Sequence, residues 1–225
     1  MRNAGMSIHG LTPPAMPSAL PVMILPGVVF FPHSLLPLFI FEEKYRDMLE
    51  FALERDRYFC VALAKDEVDE LTGHRLCHPV GSVGVVRACV RNPDGTSNLI
   101  LQGVARVRFT QWFDDHTFPY ASVEPIVGTK SNSLLCGTLR EEILELLDSS
   151  WIKEKGVTPQ MLECVRSLSD ADAIADVLGG SLSITPDERV VLLEEASTHK
   201  RLTFLRDLLL KVVASQKDSD TAETL

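Results

Sequence analysis

His74-Arg75-Leu76-Cys77-His78 is the only cluster in this chain whose residue types could ligate a metal. Two imidazoles and a thiol suit zinc or another borderline cation. A structural zinc site takes four ligands, and neither a CxxC pair nor an HxxxH pair follows to complete one. The loop is therefore expected to be solvated, and no metal or other cofactor is expected. Nucleophilic chemistry has no better footing. There is no GxSxG elbow. Ser181 follows Gly179-Gly180, where a helix is expected to stop, and reads as part of a C-cap loop. Serine–lysine chemistry needs a desolvated lysine, whereas Lys153, Lys155, Lys200 and Lys211 all lie among charged helix positions. Asp66/Glu67, Asp69/Glu70 and Asp114/Asp115 read as solvated loop charge. With no nucleophile and base to pair, no enzymatic activity is expected.

Arginines form a second pattern. Arg87 and Arg91 lie on one expected strand, Arg106 and Arg108 on another. Residues two apart on a strand share a face, so Arg106 and Arg108 are expected to point the same way. Coinciding faces would make a basic patch for acidic or extended polypeptide, or for a phosphate backbone. The plainer expectation is solvent-facing arginine on a half-buried sheet.

These groups must be positioned by the elements around them, beginning with residues 20–41, LPVMILPGVVFFPHSLLPLFIF. By length and polarity this stretch could span a membrane. Pro21, Pro26, Pro32 and Pro37 argue against a helix, since each interior proline costs about 3 kcal/mol and would leave backbone groups unsatisfied in lipid. Short buried strands broken by tight turns are expected instead, followed at once by a charged helix at EEKYRDMLEFALERD. Phe30, Phe31, Leu35, Leu36, Phe39 and Phe41 cannot all face inward if those strands alternate, so part of this surface is expected to stay exposed.

Further strands are expected at residues 58–64, 81–91, 96–103, 106–110 and 120–127, with a hairpin turn at Asn92-Pro93-Asp94-Gly95. In residues 81–91, alternation places Val86, Ala88 and Val90 on one face. After a polar linker at residues 128–133 the pattern becomes helical. Leu135, Leu139, Ile143, Leu146 and Leu147 recur at helical spacing. Thr158-Pro159, Ser169-Asp170 and Thr185-Pro186-Asp187-Glu188 are helix starts, the last with a capping box. A final helix at residues 199–213 shows Leu202, Leu205, Leu208, Leu209 and Val212 on one face.

The chain has 225 residues and a net charge of −9, which gives no broad electrostatic case for nucleic acid or anionic membrane. Its five cysteines are odd in number and lack a CxxC pair, as expected of reduced thiols in a cytoplasmic protein. No secretory signal is visible. The expected organisation is a disordered leader (1–17), a β-rich domain (18–128), a helical subdomain (129–214) and a disordered polar tail (215–225).

The stretch LPVMILPGVVFFPHSLLPLFIFEEKYRDML resembles the opening pattern of the amino-terminal substrate-binding domain of the Lon protease family, LP-x-x-x-LP-x-x-V-x-FP-x-x-x-LPL-x-IFE-x-x-Y. The resemblance continues through VGSVGVV, the DGT turn, LILQGVARVRF and YASVEPI. It extends into ADAIADVLGGSLSITPDERVVLLEEASTHKRLTFLRDLL, with Arg201 before its apolar stripe. It covers about residues 18–214, and order and spacing make it specific. It implies an α+β fold: a small PUA-like β-barrel or pseudo-barrel with one helix, followed by a C-terminal helical bundle. Lon proteases follow this region with ATPase and serine–lysine peptidase modules, but this sequence has no GxxxxGK[ST] loop and no stretch for the peptidase. The resemblance therefore implies non-catalytic recognition of unfolded or extended polypeptide, in association with a separate protease or chaperone. The expected mode is a groove between the two parts, with apolar pockets and main-chain pairing at a sheet edge. Phe31, His33, Leu35 and Phe113 are the candidate polypeptide-binding residues, with Arg87 and Arg106 at the rim. A nucleic-acid-binding PUA-like module is the alternative.

Overall fold

The apolar stretch at residues 20–41 becomes two strands that never pair with each other. β1 (Ala19–Leu25) ends at a turn where Gly27 takes a left-handed φ of 70°, and β2 (Leu35–Ile40) follows a buried loop. Among the described residues no helix is long and apolar enough to cross a membrane. This computed structural model describes residues 16–68, 75–128, 133–149, 158–182 and 184–223. The expected leader, up to residue 15, lies outside them.

β1 runs parallel to β3 (Tyr58–Val68), with Val22 opposite Cys60 and Leu25 opposite Leu63. Parallel neighbours need a crossover, and α1 (Glu43–Leu53) lies within it, burying Tyr45, Met48, Leu49 and Ala52. The Tyr45 hydroxyl donates to the Ile24 carbonyl at 3.0 Å and fixes the helix against β1. β4 (Arg75–Arg91) and β5 (Ser97–Phe113) form a long hairpin. The expected Asn92–Gly95 turn closes it, with Gly95 at φ 84° and Asp94 accepting from the Thr96 amide at 3.0 Å. Residues 96–103 and 106–110 were expected as separate strands but form one, because Gly103 stays in the ladder against Phe31 instead of turning.

β5 pairs with β4 along one edge. Along its other edge β2 covers the first half and β6 (Tyr120–Pro125) the second. β6 also pairs with β1, so among the described strands every one except β2 has neighbours on both sides. Leu20, Val22, Cys60, Ala62, Val83, Val107, Phe109 and Ala121 make one core cluster from the five doubly paired strands. Met23, Phe30, Ile40, Met48, Phe59, Leu99 and Leu101 make another with α1.

Among the described residues the further helices are α2 (Ser133–Leu147), α3 (Pro159–Ser167), α4 (Ala171–Ser181), α5 (Pro186–Glu194) and α6 (Thr198–Glu223). Thr158, Asp170 and Thr185 cap α3, α4 and α5, and the Thr185–Glu188 capping box is complete. On α2 the buried stripe is Cys136, Leu139, Ile143 and Leu147, while Leu135 is exposed. α4 does not stop at Gly179-Gly180 but carries both as helical residues to Ser181. α6 runs on to Glu223 through the expected tail, a stretch with no proline or glycine to end it. The helical core includes Val29, Phe31, Leu63 and Val80, so the strands and helices share one packed joint.

Candidate functional site

Alternation along β2 sorts its residues into two sets. Leu36, Leu38 and Ile40 turn toward the core beneath α1. Leu35, Pro37 and Phe39 turn out, with Leu35 65% and Phe39 55% exposed. Phe41, 60% exposed, stacks on Phe39 with ring centroids 6.0 Å apart. Across the sheet Pro37 lies beside Ile100 and Phe39 beside Asn98. On the next strand Ala88 lies beside Ile100, and Val90, 64% exposed, beside Asn98. The outer face of β2, β5 and β4 thus carries rows of uncovered apolar side chains. Single exposed apolar residues are ordinary on a surface, whereas a contiguous group marks an interaction site.

A bulge between Val86 and Ala88 creates part of this face. Strict alternation expected Val86 and Val90 to share a face, but the extra residue reverses the parity. Val86 is buried, while Arg87, Ala88 and Val90 are exposed. Arg87 Nε donates to the Gln102 side-chain oxygen, which places the cation beside Leu35, the cross-strand partner of Gln102. His33, exposed and held at a left-handed φ of 61°, lies just before β2, and its amide donates to the Gly103 carbonyl at 3.1 Å. Three of the six expected binding residues, His33, Leu35 and Arg87, therefore lie at one end of the apolar rows.

The other three do not join them. Phe31 is 1% exposed, and its ring packs on α4 at Gly179, where an added Cβ would lie 3.0 Å from it. Its loop is fixed by the Ser82 hydroxyl donating to the Phe30 carbonyl at 2.6 Å. Phe31 builds the joint between strands and helices and lines no surface. Arg106 is buried as well, not at a rim: its Nη1 donates to Asp176 at 2.9 Å and its Nε to the Leu193 carbonyl at 3.1 Å. Phe113 lies at the far end of β5, half-buried against Tyr120 in an aromatic group with Phe51, His116 and Phe118.

The joint holds a polar network whose members are far apart in the chain. Asp172 and Asp176, one turn apart on α4, receive Arg201 from α6, and Asp176 also receives Arg106 from β5. Thr198 donates to Asp172. Burial pulls the Asp176 carboxyl above the ordinary carboxylate range, against the pull of the two guanidinium groups. Burial acts the same way on the half-exposed Asp172, but the Thr198 hydroxyl and the arginine charges outweigh it and hold its pKa low. The available signals were an arginine in an apolar strand and two aspartates at i, i+4 on an otherwise apolar helix.

The arginines make no common patch. Arg108 is exposed while Arg106 is buried under the helices, and Arg91 pairs with Glu50 at 3.2 Å. Cys77 and His78 are consecutive and both half-buried on β4, beside an irregularity in its pairing with β3. Burial pushes the Cys77 thiol up to about 11, partly opposed by Lys65. His74 lies outside the described residues, among which no metal-type cluster occurs. Burial raises the Cys60 thiol well above its ordinary range.

Residues 19–211 match the family model of the ATP-dependent protease La (LON) substrate-binding domain. The Lon protease of Trichlorobacter lovleyi is 25% identical over 201 residues, covering 87% of this chain and 24% of that protein. The Lon protease of Geobacter metallireducens is 27% identical over 198 residues, covering 87% of this chain and 24% of that protein. The chain thus spans about a quarter of the length of these relatives. Among solved structures, the N-terminal domain of Mycobacterium avium complex Lon protease superposes with a TM-score of 0.65 at 16% identity, covering 85% of this chain and 97% of that one. A Lon N-terminal domain protein from Xanthomonas campestris gives 0.57 at 21% identity, covering 83% and 96%.

Proposed function

The chain belongs to the LON substrate-binding domain family, and from that premise we propose that it is a non-catalytic polypeptide-recognition protein acting beside a protease or chaperone in the cytoplasm. The observation that carries this reading is the uncovered apolar face of β2, β5 and β4. Leu35, Pro37, Phe39, Phe41, Ile100 and Val90 would take the apolar side chains of an unfolded segment, with His33 and Arg87 at one margin. The burial of Phe31, Arg106 and Asp176 in the seam between strands and helices favours this face over the expected groove there. The cyclic run of pairings through β5, β4, β3, β1 and β6 supports reading the strand-rich part as a closed pseudo-barrel of PUA-like form, with β2 as an added flap. Nucleic acid is disfavoured as a partner because the arginines do not converge and the net charge is −9.

The test is anisotropy of a labelled, reduced and alkylated unfolded protein titrated with wild type and with Leu35→Ala/Phe39→Ala. Both side chains are exposed, so the variant should keep the wild-type melting curve. Its affinity should fall by about tenfold or more, as expected when about 1.4 kcal/mol of apolar contact is lost. Equal affinity with an unchanged melt overturns the reading.

A further inference from the structure

We propose that the outer face reads the side chains of an extended segment and leaves its main chain unpaired, because Pro37 disables the open edge of β2. The inference rests on the polypeptide reading above and specifies its mode. β2 has one strand neighbour among the described residues, β5, and no described strand pairs with its second edge, here the open edge. Such an edge is ordinarily a template for strand addition.

The register shows which backbone groups that edge presents. The Gly103 amide donates to the Ser34 carbonyl at 2.9 Å, so Ser34 directs its carbonyl at β5. Backbone direction alternates along a strand. Leu36, Leu38 and Ile40, two, four and six positions on, therefore also pair toward β5, opposite Leu101, Leu99 and Ser97. Leu35, Pro37 and Phe39 present their backbone groups to the open edge. Proline has no N–H, so the middle of that edge lacks its donor. A strand added there would leave a carbonyl facing the Pro37 ring. Proline is tolerated in sheets where its nitrogen faces solvent, the position found here.

The same three residues supply the exposed side chains. Alternate residues on β2 stand about 6.6 Å apart, the spacing of alternate side chains in an extended peptide. A segment with apolar residues at every second position therefore matches the face, laid across Leu35, Pro37 and Phe39 and the row at Ile100 and Val90. Arg87 at the margin, beside Gln102, favours an acidic residue in the segment over a basic one.

The experiment compares two labelled peptides of about twelve residues, an extended length of about 40 Å. Both alternate leucine with serine and carry one aspartate; one is N-methylated on alternate backbone nitrogens. Wild type should bind the two with affinities within about twofold, and Leu35→Ser/Phe39→Ser should weaken both by about tenfold or more. Pro37→Thr restores the edge donor and should make the unmethylated peptide bind more tightly than the methylated one. If N-methylation abolishes binding to wild type while the parent peptide binds, main-chain pairing operates and this inference fails, with the polypeptide reading intact. If neither peptide nor the unfolded protein binds wild type, the polypeptide reading fails and this inference falls with it. The wild-type comparison decides the matter even if Pro37→Thr does not fold.

Discussion

Asp176 shows how one residue ties two halves of the chain together. Its carboxylate is fully buried and shared by Arg106 from a strand and Arg201 from the last helix. Asp176→Asn would leave two buried guanidinium groups short of a counter-charge, a change that costs about 3–5 kcal/mol. Urea unfolding should show that loss, with Asp207→Asn, at a surface ion pair, close to wild type. Asp172 adds a pH dependence with a definite sign. Its pKa in the fold lies below the ordinary value of about 3.9, so the unfolded chain binds more protons in that window. Its contribution to stability is fully present above about pH 3.9 and is lost as pH falls through the folded pKa. Asp172→Asn should therefore flatten the fall of stability toward acid, measured by urea midpoints across pH. A slope unchanged from wild type would refute this assignment.

At the scale of elements, Gly103 decides where β2 can lie. A Cβ on Gly103 would stand 2.1 Å from the Phe31 carbonyl oxygen, and a backbone atom cannot rotate away as a side chain end can. Gly103→Ala must push the Phe31–Pro32 loop off β5, with a cost of about 1–3 kcal/mol. Amide exchange at Leu36 and Leu38 should quicken, and binding should weaken because the outer rows lose register. Gly137 on α2 has open space where a methyl group would stand, with no atom within 4 Å, so Gly137→Ala should stabilise the fold by about 0.5–1 kcal/mol. Matching effects from the two substitutions would contradict the close approach at Gly103. The elements also show where local reading succeeds. Thr158, Asp170 and Thr185 cap their helices because a cap bonds to amides two or three residues ahead and needs no distant partner. Gly179-Gly180 were expected to end a helix. They lie within one, and Phe31 and Ser34, far away in sequence, pack where side chains on Gly179 and Gly180 would otherwise be.

For the whole molecule, the shared joint predicts one unfolding transition. Val29, Phe31, Leu63 and Val80 belong to the same core as the helices, and Arg106 crosses to α4 and to the end of α5. Helical circular dichroism and Trp112 fluorescence, the latter recorded with Trp151 replaced by Phe, should give coincident denaturation midpoints. Separate midpoints would mean that the joint is weaker than its burial implies. The prolines that excluded a membrane helix, the alternation of β2, the helix caps and the family resemblance were all determined by the sequence, since each depends on spacing along the chain. Exposed leucine and phenylalanine on β2 followed from the same alternation. Only the tertiary structure decided that Phe31 and Arg106 are internal while Leu35 and Arg87 stay outside. Alternation states that two sets of side chains face opposite ways, but which set is covered depends on what packs there. A bulge that reverses parity at Val86 and a helix that covers Arg106 but not Arg108 are products of contacts between residues far apart in the chain.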